Sequence, residues 1–172
     1  TNNYRQYGII WHPIILRGNP VEFNEPWIVP FIVPIYTADF KVFDEMYSKL
    51  NWFIKNCKII DEDYYVITCD DDNYDLEVFN KIKQMTEDII IISMRQNKTN
   101  TLIACPENVK VGGVGLQQCF VKGSILKQHL FNEQSHCADG EMVMHYKELY
   151  QIKYVPELLA TWNYYTPGKW DI

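Results

Sequence analysis

The run DIIIISM, Asp88–Met94, places four isoleucines in succession between an aspartate and a serine. It is too short for a helix, and β-branched residues favour a pleated sheet. An unbroken apolar run of this kind reads as a buried strand, covered on both faces. YYVITC, Tyr64–Cys69, reads as a second buried strand on the same grounds. Such a sheet needs helices to cover it, and the chain supplies them. Phe43, Met46, Tyr47, Leu50, Phe53, Ile54 and Cys57 recur at three- and four-residue spacing, with Thr37 or Asp39 as a candidate cap. Leu76–Met85, SILKQHLF and GEMVMHYKELY also carry the helical period. TLIAC, Gln118–Val121 and the closing KYVPELLATWNYY read as extended. Near the start, Tyr7–Leu16 and Trp27–Tyr36 are extended by propensity, but their prolines confine them to edges or irregular paths. Arg17–Pro26 is turn-rich and reads as loop. Strands and helices alternate, mostly as βα units, which predicts an α/β fold with a parallel sheet centre.

At 172 residues the chain is expected to form one domain over 1–172. It is 47% hydrophobic and 15% aromatic, enough for a core and unlike a disordered chain. A formal net charge of −6, with no Lys/Arg-rich run, argues against a nucleic-acid partner. No stretch reaches the ~18 consecutive apolar residues of a membrane span. The opening TNNYRQYGIIWHPII lacks the charged, apolar, small-residue order of a secretory signal. The five cysteines include no C-x-x-C pair and read as reduced small hydrophobes. A cytoplasmic location follows as the expectation, with peripheral membrane association still compatible.

The Tyr64–Cys69 strand ends in three adjacent aspartates, Asp70, Asp71 and Asp72. Each raises the cost of ionising the next, so the run calls for a cation or for full solvation. Ligands of open α/β sheets bind beyond the carboxyl ends of the strands, which is where the triplet falls. Carboxylates there suit Mg²⁺ or Mn²⁺ bridging to a substrate phosphate. The competing reading is a solvated acidic loop that leads into the next helix, with Asn73 or Asp75 as its cap. A phosphatase of the haloacid dehalogenase type would want Thr or Val where Tyr74 stands, and that reading falls.

The block KLNWFIKNCKIIDEDYYVITCDDDN, Lys49–Asn73, resembles the central segment of family-2-like glycosyltransferases of the GT-A fold. HCADGEMVMHYKELYQIKYVPELLATWNYYTPG is similar to that family's acidic segment, helix, strand and closing loop, in the same order. The resemblance spans about Lys49 to Gly168 and implies a nucleotide-diphospho-sugar transferase fold with a mixed, mostly parallel central sheet flanked by helices. It implies Asp70 near the nucleotide's ribose and in the metal shell, Asp71 beside the nucleotide, and Asp72 as direct metal ligand. Lys49 and Asn51 match positions that approach the nucleotide in relatives. Asp139, or else Glu141, takes the place of the base. The implied co-substrate is a nucleotide-diphospho-sugar with Mn²⁺ or Mg²⁺, and the acceptor a carbohydrate or other hydroxyl. Chemically, the cation offsets charge on the leaving diphosphate and a carboxylate takes the acceptor's proton.

The chain departs from the family in two places. TWNYYTPGKW has no histidine to complete a metal shell, with Asn163 as a stand-in, and the half before Lys49 is compressed. These departures favour an alternative: a non-catalytic or degenerate nucleotide- or sugar-binding module of the same fold. A metal-dependent phosphoryl-transfer enzyme is a weaker third reading. VGGVG, Val111–Gly115, lacks phosphate-loop spacing and reads as a plain loop. His136, Cys137, Asp139 and Glu141 lack a second ligand pair for zinc. His145, one turn from Glu141, is a candidate to orient that carboxylate, while His12 and His129 carry no pattern. Trp162, Tyr164, Tyr165 and Trp170 divide between sugar stacking and core, and Lys169 reads as a loop cation or a solvated lysine.

Overall fold

The computed structural model describes residues 14–16, 31–33, 42–68, 72–96 and 100–162. Two short strands, β1 (Ile14–Leu16) and β2 (Phe31–Val33), pair in parallel as a sheet of their own. Helix α1 (Val42–Asn56) follows, then β3 (Tyr64–Tyr65), β4 (Asp72–Tyr74) and helix α2 (Leu76–Ile82). The longer strand β5 (Ile89–Gln96) turns back through β6 (Asn100–Leu102) and two 3-10 turns into β7 (Cys119–Lys122). One helical turn, α3 (Gly123–Leu126), helix α4 (Ala138–Leu149) and strand β8 (Ile152–Trp162) complete the order.

Six strands form the main sheet in the order β3-β7-β5-β8-β4, with β6 hydrogen-bonded to β5. The isoleucine run is its centre, and Ile89, Ile90, Ile91 and Ile92 are all fully buried. Period-two alternation sends them to two cores. Ile89 and Ile91 join Cys119 and Val121 under α1, α3 and α4. Ile90, Ile92 and Met94 join Phe120, Val155 and Ala160 under Val78 and Ile82 of α2. Each buried isoleucine contributes about 1.5–3 kcal/mol of apolar transfer, which is why the run dictates a sheet covered on both sides.

The fold is mixed α/β, but the sheet is not mostly parallel among the described strands. Only β5 with β8 is parallel in it; β3–β7, β5–β7, β5–β6 and β4–β8 are antiparallel. The connection from β5 to β7 explains this. Parallel neighbours need a long crossover, usually a helix. That connection holds only β6 and 3-10 turns among the described residues, so β7 returns antiparallel. Because β3 and β5 both run against β7, the strands β3, β5 and β8 point the same way.

Strand β8 bulges where its proline falls. Val155 pairs with Ile92 and Leu158 with Ser93, leaving Pro156 and Glu157 out of register. Proline has no N–H to give to a ladder. The buried Ser93 hydroxyl closes the gap, donating to the Val155 carbonyl at 3.3 Å and accepting the Ala104 N–H at 2.8 Å.

The expected α1 face is buried at Tyr47, Leu50, Phe53 and Ile54, but Met46 is exposed. SILKQHLF is helical for only one turn. Cys119 is buried as expected, whereas Cys137 is exposed. No described helix is long and apolar enough to cross a membrane. Thr37, Asp39, His12, Cys69, Asn163, Tyr164, Tyr165, Lys169 and Trp170 lie outside the described residues.

Candidate functional site

Asp72 opens β4, a strand where the sequence suggested loop. It pairs with Trp162 at the end of β8, and Trp162 pairs with Gln96 at the end of β5. The aspartate therefore stands at the carboxyl end of co-directional strands, the position at which α/β sheets bind ligands. Thr68, just after β3, donates its hydroxyl to Asp72 Oδ2 at 2.8 Å. The oxygen-only character of Asp72 and Thr68 suits a hard cation such as Mg²⁺ or Mn²⁺. Asp70 and Asp71 lie outside the described residues, and among those described no three His, Cys, Asp or Glu side chains converge. Asp75 supplies the predicted cap for α2, its Oδ1 accepting the Glu77 N–H at 3.0 Å.

The second acidic segment is the first turn of α4, which carries Asp139 and Glu141 where the helix dipole favours negative charge. The backbone N–H of Asp139 points at the Tyr47 hydroxyl, 3.4 Å away on α1. Burial, and then the Asp139 charge, push the Tyr47 phenol up to about 12. Tyr47 therefore stays protonated beside Asp139. Phe131 stacks on the Tyr47 ring with centroids 5.5 Å apart and holds it in place. Glu141 is exposed and differently engaged: it accepts from Ser135 at 2.6 Å and from Asn132 at 3.4 Å. His145, a candidate to orient it or else an ordinary partly exposed histidine, is exposed and meets the His129 ring edge-on at 4.9 Å.

The strand that carries Asp72 and the helix that carries Asp139 both touch the loop 111–118. A Cβ on Gly140 of α4 would lie 3.0 Å from Val111 Cα, so helix and loop are in close contact there. Gly112 beside it has φ of 74°, a conformation that favours glycine. At the loop's other end, the Tyr74 hydroxyl donates to the Gln117 carbonyl at 2.7 Å. Buried Gln118 braces this segment, donating to Ile92 and Leu102 carbonyls at 2.9 and 3.2 Å.

Asn51 has another task than the one its resemblance implies. It is buried, and its amide donates to the Phe131 carbonyl at 2.9 Å and to Glu133 at 2.8 Å. Its oxygen accepts the Phe131 N–H at 2.8 Å. Asn51 thus clips the 131–133 segment to α1, while Lys49, two residues earlier, is half-buried.

An open cleft of about 450 Å³ lies beside Asp72, lined by Asn73, Asp75, Arg95, Leu158 and Thr161 among others. Asp139 and Glu141 are not among the described residues that line it. The sequence reading missed Arg95, for which a lone arginine after an apolar strand gave no signal. Compared with known proteins, the sequence matches no family model and no curated relative.

Proposed function

We propose that the chain is a metal-dependent glycosyltransferase of GT-A type, moving a sugar from a nucleotide-diphosphate donor to an acceptor hydroxyl. One observation carries the reading: Asp72 stands at the carboxyl end of β5 and β8, on a strand bonded to the loop that α4 packs against. In this reading Asp72, with Asp70, holds Mn²⁺ or Mg²⁺, which when bound offsets charge on the leaving diphosphate. The same reading assigns Asp71 and Lys49 to nucleotide contact. Asp139 takes the acceptor's proton, its backbone N–H resting on the Tyr47 hydroxyl, and Glu141 is the second candidate base. The committed hydrogen bonds of Asn51 remove it from this set.

A second reading is a binding module of the same fold without catalysis. The absence of Asp139 from the described lining of the cleft beside Asp72 favours it. A thermal-shift titration with nucleoside diphosphates, with and without Mn²⁺, tests both readings, because a ligand selective for the folded state raises the midpoint. A Mn²⁺-dependent rise with one nucleotide, lost in Asp72→Ala, supports the donor site. Slow hydrolysis of the matching nucleotide sugar, abolished by Asp139→Asn, supports the transferase. Binding without turnover selects the module, and no shift with any nucleotide rejects the donor site.

A further inference from the structure

We propose that Tyr146 of α4 holds one water molecule in a small cavity between α4 and the β3–β7 edge of the sheet. Tyr65 of β3, Cys119 and Val121 of β7, Leu126 of α3, Phe131 and Tyr146 are among the residues that line it. The space open to the centre of a water molecule is about 10 Å³. One water needs roughly 10–15 Å³ by that measure, so the cavity takes a single water and excludes any ring. None of the lining residues belongs to the donor or base set of the transferase reading, and the inference stands apart from it.

A cavity of this size with wholly apolar walls stays dry. Tyr146 makes this one different. The residue is only 1% exposed, and its hydroxyl has no hydrogen-bond partner among the described residues. A buried tyrosine hydroxyl ordinarily finds a partner, because leaving it unmet forfeits its hydration for nothing. The rings of His129 and Tyr150, with centroids 5.5 and 6.1 Å from that of Tyr146, fix the side chain in place. Burial first, and then Cys119 across the cavity, push the phenol pKa up, so the hydroxyl keeps its proton and is a donor. Two other lining residues supply polar atoms for the two to four bonds that a buried water makes. The Tyr65 hydroxyl accepts the Ile60 N–H at 3.0 Å and retains its own proton to donate. The Cys119 sulfur, 3.5 Å from the Gly115 carbonyl, is a weak acceptor.

The test combines crystal structures of the full chain and of its Tyr146→Phe variant with urea unfolding of both. A water peak is expected in the native cavity at about 2.8 Å from the tyrosine oxygen, and none in the variant. Losing that water-mediated bond is expected to lower the folding equilibrium constant about fivefold. The sign of the change discriminates. Were the hydroxyl partnerless, its removal would raise the constant, because phenylalanine packs the same ring with nothing left to satisfy. A dry native cavity, a direct protein partner for the hydroxyl, a water that persists in the variant, or a variant more stable than the native chain would each overturn the proposal.

Discussion

The Tyr74 hydroxyl donates to the Gln117 carbonyl at 2.7 Å, and so ties the strand that carries Asp72 to the loop that α4 packs against. The Tyr74 ring is itself fixed, 5.9 Å from Phe79 and 6.2 Å from Phe120 between centroids. Tyr74→Phe keeps the ring and deletes only the donor. Leaving the carbonyl short of its partner is expected to cost about 1–2 kcal/mol in urea unfolding. Any Mn²⁺-dependent nucleotide shift should weaken with it. An unchanged stability would show that water replaces the hydroxyl and that the tie is dispensable.

Asn51 separates a structural role from a nucleotide-binding one. Its three hydrogen bonds to Phe131 and Glu133 are made from a buried position. Asn51→Ala leaves the Phe131 N–H and C=O without these partners and is expected to lose about 2–3 kcal/mol of stability. A nucleotide-contacting asparagine would behave in the opposite way, losing ligand response at constant stability. Denaturant unfolding and the nucleotide titration on the same variant distinguish the two.

Local period and burial were legible only in part. The buried strand expected over Tyr64–Cys69 is a strand at Tyr64–Tyr65 alone, and half-buried, because among the described strands it pairs with β7 on one side only, at the sheet's edge. The isoleucine run, α1, α2, α4 and β8 follow from apolar spacing, and of the two candidate caps, Asn73 and Asp75, it is Asp75 that caps α2. Strand direction was not legible, because a βα pattern does not state which way the next strand returns. Strand β4 was hidden as well. Asp72 and Asn73 have poor strand propensity, and their pairing with Trp162 and Thr161 spans almost ninety residues. The site shows the same division. The acidic clusters stand out by composition, whereas Arg95 enters only through register and Asn51 changes role only through its partners.

His129 makes stability sensitive to acid. Its ring nitrogen Nε2 lies 2.6 Å from the Tyr150 hydroxyl, with the His145 ring close by. Burial first, and then His145, lower its pKa below the ordinary value of a histidine. The folded state thus prefers the neutral ring, while the unfolded chain takes up a proton near pH ~6.5. Stability falls wherever the unfolded state binds more protons and pH decreases. The His129 contribution is expected to be intact at pH ~7.5 and to decline below pH ~6.5, down to the lowered folded-state pKa. His129→Gln should flatten that part of the stability profile. A profile identical to the native one would assign the acid sensitivity to other groups.

Gly140 reverses the usual effect of alanine in a helix. Replacing a glycine in a helix interior by alanine gains about 1 kcal/mol from propensity, and in the first turn, where Gly140 stands, at most that. In α4, however, the new Cβ would lie 3.0 Å from Val111 Cα and 3.4 Å from the Gly112 nitrogen. Both are backbone atoms, and Gly112 already occupies a left-handed conformation, with φ of 74°. The loop has little freedom to retreat without loosening its hold on the first turn of α4, where Asp139 meets Tyr47. Overpacking of this kind costs about 1–3 kcal/mol, which exceeds the propensity gain. Gly140→Ala is therefore expected to lower the melting midpoint, and Gly140→Val to lower it further. A higher midpoint for the alanine variant would show that the loop yields freely, and would remove the close contact as the element that seats Asp139.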